Sequence, residues 1–356
     1  MLDYKVKYKF EEALLSIGVC VMATIKDVAK RAGVAPSTVS YALSGKRPIS
    51  DEVKKRIAMA VEELNFKPNS LANNLRIGSS RTIGIAHPLS EISPDSSGLD
   101  IIAAASEGLR ASHTLSLITH QEAPEKLIAR LRQRSIDGLI LMHIARQDER
   151  VEALRQTNYP FVLIGRPEKP VHLSLVDFDF EKASFLAVQH LVQLGHKTIG
   201  YLDLPDKERS DVLGYAYYMT RGLQAAQEGF TVDLYGREAG RSNQHSYEAT
   251  LKLLESKPEL TAIIVLLGST YMGVLRALHE RGKKVPEDCS IICLGSTPGA
   301  IWSNPSLTTI DNQLLKLGNI AADLILEKIA GNTTNKQILL PAELTIREST
   351  GQARNA

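Results

Sequence analysis

Between residues 23 and 64 the apolar positions recur at the three- and four-residue spacing of helices packed on one small core. Val28, Ala29, Val34, Val39 and Leu43 make one such set, and Val53, Ile57, Ala60, Val61 and Leu64 line one face of a later helix. Thr24 stands three residues before Asp27, the spacing at which two side chains can satisfy the free amides of a first helical turn. Gly33 breaks the run and supplies a tight turn. Pro36 then opens a second helix, because its missing amide and fixed φ suit a first helical position. Ser50 is placed to cap the third helix. The pattern predicts a helix-turn-helix followed by one more helix.

Past Arg81 the period changes. Short apolar runs at 82–87, 115–119, 138–143, 161–165, 198–202, 262–267 and 290–294 read as strands. Amphipathic stretches at 99–111, 125–134, 180–194 and 271–281 read as the helices between them. Such alternation predicts parallel sheets with crossover helices, and the length suits two lobes.

Composition narrows the class. A chain of 356 residues exceeds one ordinary core, and no apolar run approaches the roughly 20 residues that span a bilayer. Cys20, Cys289 and Cys293 make no paired framework and lack partners at metal spacing, so they read as packing thiols, with no metal or cofactor expected. Net charge is only +2, yet residues 23–80 hold ten basic and five acidic side chains. A basic small domain on a mildly acidic remainder is the electrostatic footprint of phosphate-backbone binding. No Gly-x-Ser-x-Gly elbow, Walker loop, His-Glu-x-x-His or Cys-x-x-Cys occurs, and the nine histidines are scattered, so no enzyme is expected.

With Val28, Val39 and their neighbours inside, Ser37, Thr38, Ser40 and Tyr41 point elsewhere. A short polar helix propped on such a core is what DNA-reading proteins lay in a major groove, while an ordinary solvated face is the plainer alternative. The stretch after the third helix, Asn65-Phe66-Lys67-Pro68-Asn69-Ser70-Leu71-Ala72-Asn73-Asn74-Leu75, decides between them. Residues 23–85 as a whole closely resemble the lac repressor/galactose repressor family of bacterial transcription regulators. The resemblance runs on through Gly195-His196-Lys197-Thr198-Ile199-Gly200 and Leu307-Thr308-Thr309-Ile310 to a last strand at 344–350.

That resemblance implies an all-α helix-turn-helix headpiece and an α/β, two-lobed body like periplasmic sugar-binding proteins of type I, with doubly wound parallel sheets. The expected divisions are an extension outside the family pattern at 1–22, a headpiece at 23–68, a hinge at 69–80, an effector-binding and dimerisation body at 81–350, and a tail at 351–356. Met22 reads as the usual start. The implied function is a cytoplasmic, homodimeric repressor that binds a palindromic operator in double-stranded DNA and responds to a small molecule. The alternatives are a protein co-effector or none. Thr24, Lys26, Pro36, Ser37, Thr38, Ser40, Tyr41, Lys46 and Arg47 of the headpiece and Asn69, Ala72, Leu75 and Arg76 of the hinge are the implied DNA contacts. Leu75 matches the family's minor-groove wedge.

The ligand positions depart from the family pattern. Relatives that bind sugars or purines carry an arginine, an Asn-Asp pair and a further acid where this chain has Tyr217, Leu267 and Gly295. A buried sugar hydroxyl without a partner loses about 1–3 kcal/mol, so a simple pentose or hexose held in the usual way is not expected. The remaining candidates for the cleft are His87, His143, Arg166, Arg209, Tyr217, Arg241, Trp302 and Asn312.

Overall fold

The computed structural model describes residues 23–44, 47–66, 79–88, 97–204, 212–295 and 298–354. The chain divides into two compact units, Met1–Gly78 and Ser79–Ala356. The expectations placed on residues 1–22, on Lys46, on Asn69, Ala72, Leu75 and Arg76 of the hinge, and on Arg209 lie outside the described residues.

The first unit contains α1 (Ile25–Ala32), α2 (Pro36–Ser44) and α3 (Asp51–Glu63). Gly33 ends α1 in the left-handed region at φ 64°, and its amide bonds the Ala29 carbonyl. A side chain there would be strained, so glycine is the residue the turn needs. Val28, Ala29, Ala32, Val39, Ile57, Ala60 and Phe66 form the core, with Val34, Ala42, Val53, Val61 and Leu64 packed around it. Leu43, expected inside, is 44% exposed. The last turn of α2 overhangs the small core, and Ala42 is the residue that faces it. Ser50 holds the N-cap position of α3, but through its carbonyl, which accepts from the Lys54 amide at 3.0 Å; its hydroxyl makes no capping bond.

The second unit has two lobes, each with a six-stranded sheet. Lobe 1 is built from β1 (Thr82–His87), β2 (Thr114–Thr119), β3 (Gly138–Leu141), β4 (Phe161–Ile164), β5 (Leu175–Phe178) and β11 (Gln337–Leu340), in the order β11-β5-β4-β3-β1-β2. Lobe 2 holds β6 (Thr198–Asp203), β7 (Asp233–Glu238), β8 (Ala262–Val265), β9 (Ser290–Leu294), β10 (Thr308–Ile310) and β12 (Leu344–Thr345), in the order β12-β10-β9-β8-β6-β7. All neighbours are parallel except β10 and β12. The chain passes from lobe 1 to lobe 2 after β5, returns after β10, and crosses again between β11 and β12.

Helices cover both faces, as parallel strands demand. In lobe 1, α4 (Ser97–Leu109) and α12 (Leu314–Ile329) pack together, α12 also against β3, β4 and β5, over a core that includes Ile83, Ile85, Ile140 and Val162. Leu127 and Leu131 of α5 (Pro124–Arg132) and Val151 and Leu154 of α6 (Glu149–Arg155) meet Ala86, Leu139, Leu141 and Leu163 in a second cluster. Lobe 2 repeats the plan with α7 (Phe180–Gln193) and α8 (Gly214–Gly229) together, and α9 (Asn243–Ser256) with α10 (Tyr271–Glu280). A short α11 (Pro298–Trp302) follows β9.

Polar anchors fix the ends of the body. The Asp137 carboxylate accepts from the Ser79 hydroxyl at 2.5 Å and from the amides of Ser80 and Arg81 at 2.7 Å each. Burial pushes its pKa upward, but these donors outweigh burial and hold it below the ordinary carboxylate value. His196, 2% exposed, lies 2.8 Å from the Thr261 hydroxyl, 3.0 Å from that of Ser290 and 3.1 Å from the Gly351 carbonyl, which ties the final segment to lobe 2. Cys289 and Cys293 are buried free thiols, and burial pushes Cys289 up to about 12.

The packing of α7 on α8 yields a direct test. A Cβ at Gly222 would lie 2.1 Å from the Glu181 carbonyl oxygen and 2.8 Å from the Ser184 Cβ, whereas one at Gly229 would meet open space. Gly222→Ala is expected to destabilise the body by about 1–3 kcal/mol. Gly229→Ala is expected to be neutral or to gain about 0.4–1 kcal/mol. Urea unfolding of the full chain, followed at the body's transition, checks both.

Candidate nucleic-acid interface and inter-lobe cleft

In the first unit the entry to α1 is fixed by Asp27, whose carboxylate accepts from both the amide of Thr24 (2.8 Å) and its hydroxyl (2.6 Å). The carboxylate half of the expected reciprocal cap is therefore present, and the threonine hydroxyl donates to it. These bonds, with the charge of Lys30, hold Asp27 below its ordinary value. At the start of α2, Pro36 and Ser37 are exposed, while Thr38, Ser40 and Tyr41 are half-buried. The Arg47 guanidinium lies 4.9 Å over the Tyr41 ring, which braces that ring at the helix surface. Lys26 and Lys30 are exposed. Lys54 sits 3.1 Å from Asp51 and Arg31 2.6 Å from Glu63, so part of the local positive charge is matched on the unit itself.

In the body, the strand order 2-1-3-4-5 recurs in both lobes, and open sheets of this order take ligands beyond the carboxyl ends of their strands, where that order reverses. Those ends carry histidines in lobe 1. His87 is the last residue of β1, His120 follows β2, and His143 follows β3. The sheet register pairs His87 with Thr119 and Ala86 with Leu141, so the three side chains emerge along one edge. His143 is held at φ 55°, an uncommon conformation for a side-chain-bearing residue and one that ends its strand early. The rings of His120 and His143 meet edge-on with centroids 5.5 Å apart.

A buried ion pair scaffolds this edge. Arg150 and Asp148 form two bonds, 3.0 and 2.6 Å, with side chains 10% and 3% exposed. The same guanidinium donates to the carbonyls of His120 (3.3 Å), Met142 (3.3 Å) and His143 (3.1 Å), joining the ends of β2 and β3. Burial pushes Asp148 upward, but Arg150 and the amides of Ala145 and Val151 bring it below the ordinary carboxylate range.

Lobe 2 reaches the same place through Tyr215 and Arg241. The Tyr215 ring lies 6.1 Å from His143 and 5.8 Å from Phe180, and Arg241 donates to the Tyr215 hydroxyl at 2.6 Å. Burial and then the positive charge of Arg241 lower His143 to about 3. His87 and His120 are lowered too, with burial the largest cause. Backbone bonds close the lobes nearby: Arg146 N–H to the Val212 carbonyl at 2.7 Å and Gly214 N–H to that of Ile144 at 3.0 Å.

Of the residues expected in the cleft, His87, His143 and Arg241 come together. Asn312, beyond β10, packs beside Gly295 after β9, and its buried side-chain oxygen has no hydrogen-bond partner among the described residues. Arg166 is engaged elsewhere. Its Nε lies 3.1 Å from Asp177, and its guanidinium stacks 3.7 Å over Tyr218, whose hydroxyl donates to the Pro167 carbonyl at 3.1 Å. Burial pushes Asp177 up to about 7 against the pull of that arginine. Arg166 thus joins β4 and β5 of lobe 1 to α8 of lobe 2, and a Gly214 Cβ would lie 2.1 Å from its carbonyl oxygen. Tyr217 faces Arg146 and Arg221, at 4.5 and 5.8 Å, instead of the histidines, because α8 turns Tyr215 toward them. Trp302, at the end of α11, is 85% exposed. His120, Arg150 and Tyr215 were missed. His120 had a readable signal, as the residue directly after a predicted strand; Tyr215 and Arg150 had none.

A helix-turn-helix unit carried on a two-lobed, doubly wound body defines a ligand-responsive transcription regulator. Residues 24–69 match the bacterial regulatory proteins of the lacI family, and residues 188–350 match a periplasmic binding protein-like domain. The chain is 31% identical over 335 residues to the HTH-type transcriptional repressor PurR of Mannheimia succiniciproducens, covering 92% of this chain and 98% of that one. It is 28% identical over 339 residues to catabolite control protein A of Priestia megaterium, covering 92% and 99%. Among solved structures it is similar to the lac repressor dimer bound to operator and the anti-inducer ONPF, with a TM-score of 0.79, 25% identity and coverage of 93% and 99%. The chain belongs to the lacI family of bacterial regulatory proteins.

The depressed His143 value gives a pH dependence of known sign. Folded His143 titrates near 3 and unfolded histidine near 6.5, so unfolding takes up a proton below about 6.5. Its contribution to stability is complete above pH 6.5 and is lost as pH falls toward 3. His143→Asn keeps a residue tolerant of the left-handed backbone. Denaturation at pH 6.5 and pH 5 is expected to show a steeper acid loss for wild type than for the variant, by up to about 1.4 kcal/mol per pH unit.

Proposed function

We propose that this protein is a cytoplasmic, homodimeric transcriptional repressor that binds a palindromic operator and is controlled by a small molecule held between its lobes. The observation that carries the DNA-reading half is α2. It presents Pro36 and Ser37 to solvent, with Tyr41 braced by Arg47 one turn on, in a basic unit too small to need such a surface for its own packing. Ser37, Ser40 and Tyr41 read base edges, with Pro36 and Thr38 beside them, while Thr24, Lys26, Lys46 and Arg47 hold phosphates. Asn69, Ala72, Leu75 and Arg76 belong to the hinge, with Leu75 as the wedge between base pairs. The repressor and operator-bound relatives support the same reading.

The cleft residues are His87, His120, His143, Tyr215, Arg241 and Asn312, and the protein binds its effector without turning it over. Arg166 serves the lobe junction. Self-association is supported by the lac repressor dimer among the similar structures and by apolar side chains left in solvent on lobe 2, where Met272 is 50% and Trp302 85% exposed. Trp302 is better placed there than on a ligand ring.

Selection of bound DNA from random sequence tests the assignment. Wild type is expected to return a palindromic site, and Tyr41→Ala a site with relaxed preference at one base pair per half-site, worth about 1–3 kcal/mol. An unchanged preferred sequence removes Tyr41 from base reading, and the absence of any selected site overturns the regulator reading.

Salt supplies an independent check. Exposed Lys26 and Lys30, doubled in a dimer, displace counterions from the phosphates. Log affinity for the selected site is expected to fall steeply and linearly with log salt, and Lys26→Gln to make the slope shallower. A flat plot excludes phosphate gripping by this unit.

A further inference from the structure

We propose that Asp137 is the positioning residue that fixes the hinge to the body: by clamping Ser79, Ser80 and Arg81 it sets the spacing at which two headpieces can meet an operator. The inference rests on the regulator reading and adds to it a residue outside both α2 and the cleft.

Asp137 directly precedes β3, at the amino ends of the lobe 1 strands, the edge opposite the histidines. Ser79 follows Arg76 of the proposed hinge by three residues. Asp137 Oδ2 accepts from the Ser79 hydroxyl and the Arg81 amide, and Oδ1 accepts from the Ser80 amide, so both oxygens are engaged. Its own amide donates to the Thr82 carbonyl at 2.7 Å. One residue thus grips four consecutive residues of the chain. From the other side, the Thr114 amide donates to the Arg81 carbonyl at 2.8 Å. The carboxylate, 9% exposed and held below its ordinary value, is charged at neutral pH, which makes its three bonds charge-assisted. His113 stands 3.8 Å away, beyond hydrogen-bond length, so the chain itself is what the carboxylate holds.

This grip exceeds what the start of a strand requires. Arg81 lies in the left-handed region at φ 50°. A residue with a side chain keeps that conformation only where its surroundings over-determine it. β1 has no need of the kink: Ile83 and Ile85 are fully buried, and the strand is paired with β2 from Thr82 and with β3 from Ile83 onward. The carboxylate acts on the three residues before that ladder, and these lead to the hinge. A dimer that reads a two-fold site fixes its half-site spacing by geometry. A chain released over two residues gains up to about 7 Å of reach, and successive base pairs are about 3.4 Å apart. Loss of the clamp therefore blurs the spacing by about two base pairs per half-site, while α2 still reads each half-site as before.

The test uses the full chain and fluorescence anisotropy on the selected operator, on the same operator with one or two base pairs inserted or removed at its centre, and on scrambled DNA. Wild type is expected to lose about tenfold or more in affinity with each change of spacing. Asp137→Asn puts an amide donor where one carboxylate oxygen accepts, so it can keep only one side of the clamp. It is expected to bind the original operator about tenfold or more weakly, to bind all spacings within about threefold of one another, and to bind scrambled DNA as wild type does. Ser79→Ala, which removes one of the three donors, is expected to shift the preference in the same direction by less. Gly222→Ala, which loosens the packing of lobe 2, is expected to keep the wild-type preference and so separates positioning from general destabilisation. The proposal is overturned if folded, dimeric Asp137→Asn keeps the wild-type spacing preference, or if Gly222→Ala relaxes it as much. Should Asp137→Asn not fold, an unchanged preference in Ser79→Ala overturns it. A wild type that selects a site yet binds every spacing alike overturns it too, and the selection of that site keeps this failure distinct from a failure of the regulator reading.

Discussion

Parallel strands cannot be joined by hairpins. Each connection must climb over a face of the sheet as a helix, so every strand in a lobe delivers its outgoing loop to the same edge. In this body the rule operates twice, on two sheets of the same order, and the chain crosses between them three times. Residues at the carboxyl ends of β1, β2 and β3 are thereby collected at one edge although they lie far apart in sequence. His87, His120 and His143 owe their meeting to this constraint, and so does the approach of Arg241 and Tyr215 from lobe 2.

Such an edge collects polar groups in a partly dry place, and its cost is met by a few well-made pairs. Arg150 spends two bonds on Asp148 and three on backbone carbonyls at the ends of β2 and β3. A buried pair of this kind adds little net stability over apolar packing. Its use here is positional, since it fixes where two imidazoles point. Arg166, Asp177 and Tyr218 do comparable work at the lobe junction, where a stacked guanidinium links a strand of lobe 1 to a helix of lobe 2. Burial and the neighbouring cations disfavour the charged forms of these histidines in the folded state.

The headpiece solves a different problem. Its core is a handful of side chains around Val28 and Val39, too few to bury all of α2. The overhang that leaves Leu43 and the polar side of the helix in solvent is therefore a consequence of size. A reading helix needs this arrangement: it must be held firmly by one side while the other stays free to enter a groove.

Much of this was legible in the sequence, and for local reasons. The Thr24 and Asp27 pair, Gly33 at its turn, Pro36 at its helix start and the spacing of Val53, Ile57 and Ala60 each depend only on neighbours within a turn or two. The alternation of strands and helices after residue 81 was legible for the same reason, and family resemblance extended it to two lobes. Some strands escaped: β7 has an exposed edge pattern, β11 is a short, half-exposed stretch that pairs with a strand far back in the chain, and β5 is a buried run of only four residues interrupted by Asp177. The site was legible only in part. His87 and His143 stood out as polar residues at the ends of expected strands and Arg241 as a candidate polar residue, but which of the candidates converge was decided by the sheet register and by the turn of α8. That helix directs Tyr215 inward and Tyr217 toward Arg146, while the exposed end of α11 carries Trp302 away. Local sequence sets the elements because their rules act over a few residues; the site belongs to the tertiary structure because its members meet only when distant strands are laid side by side.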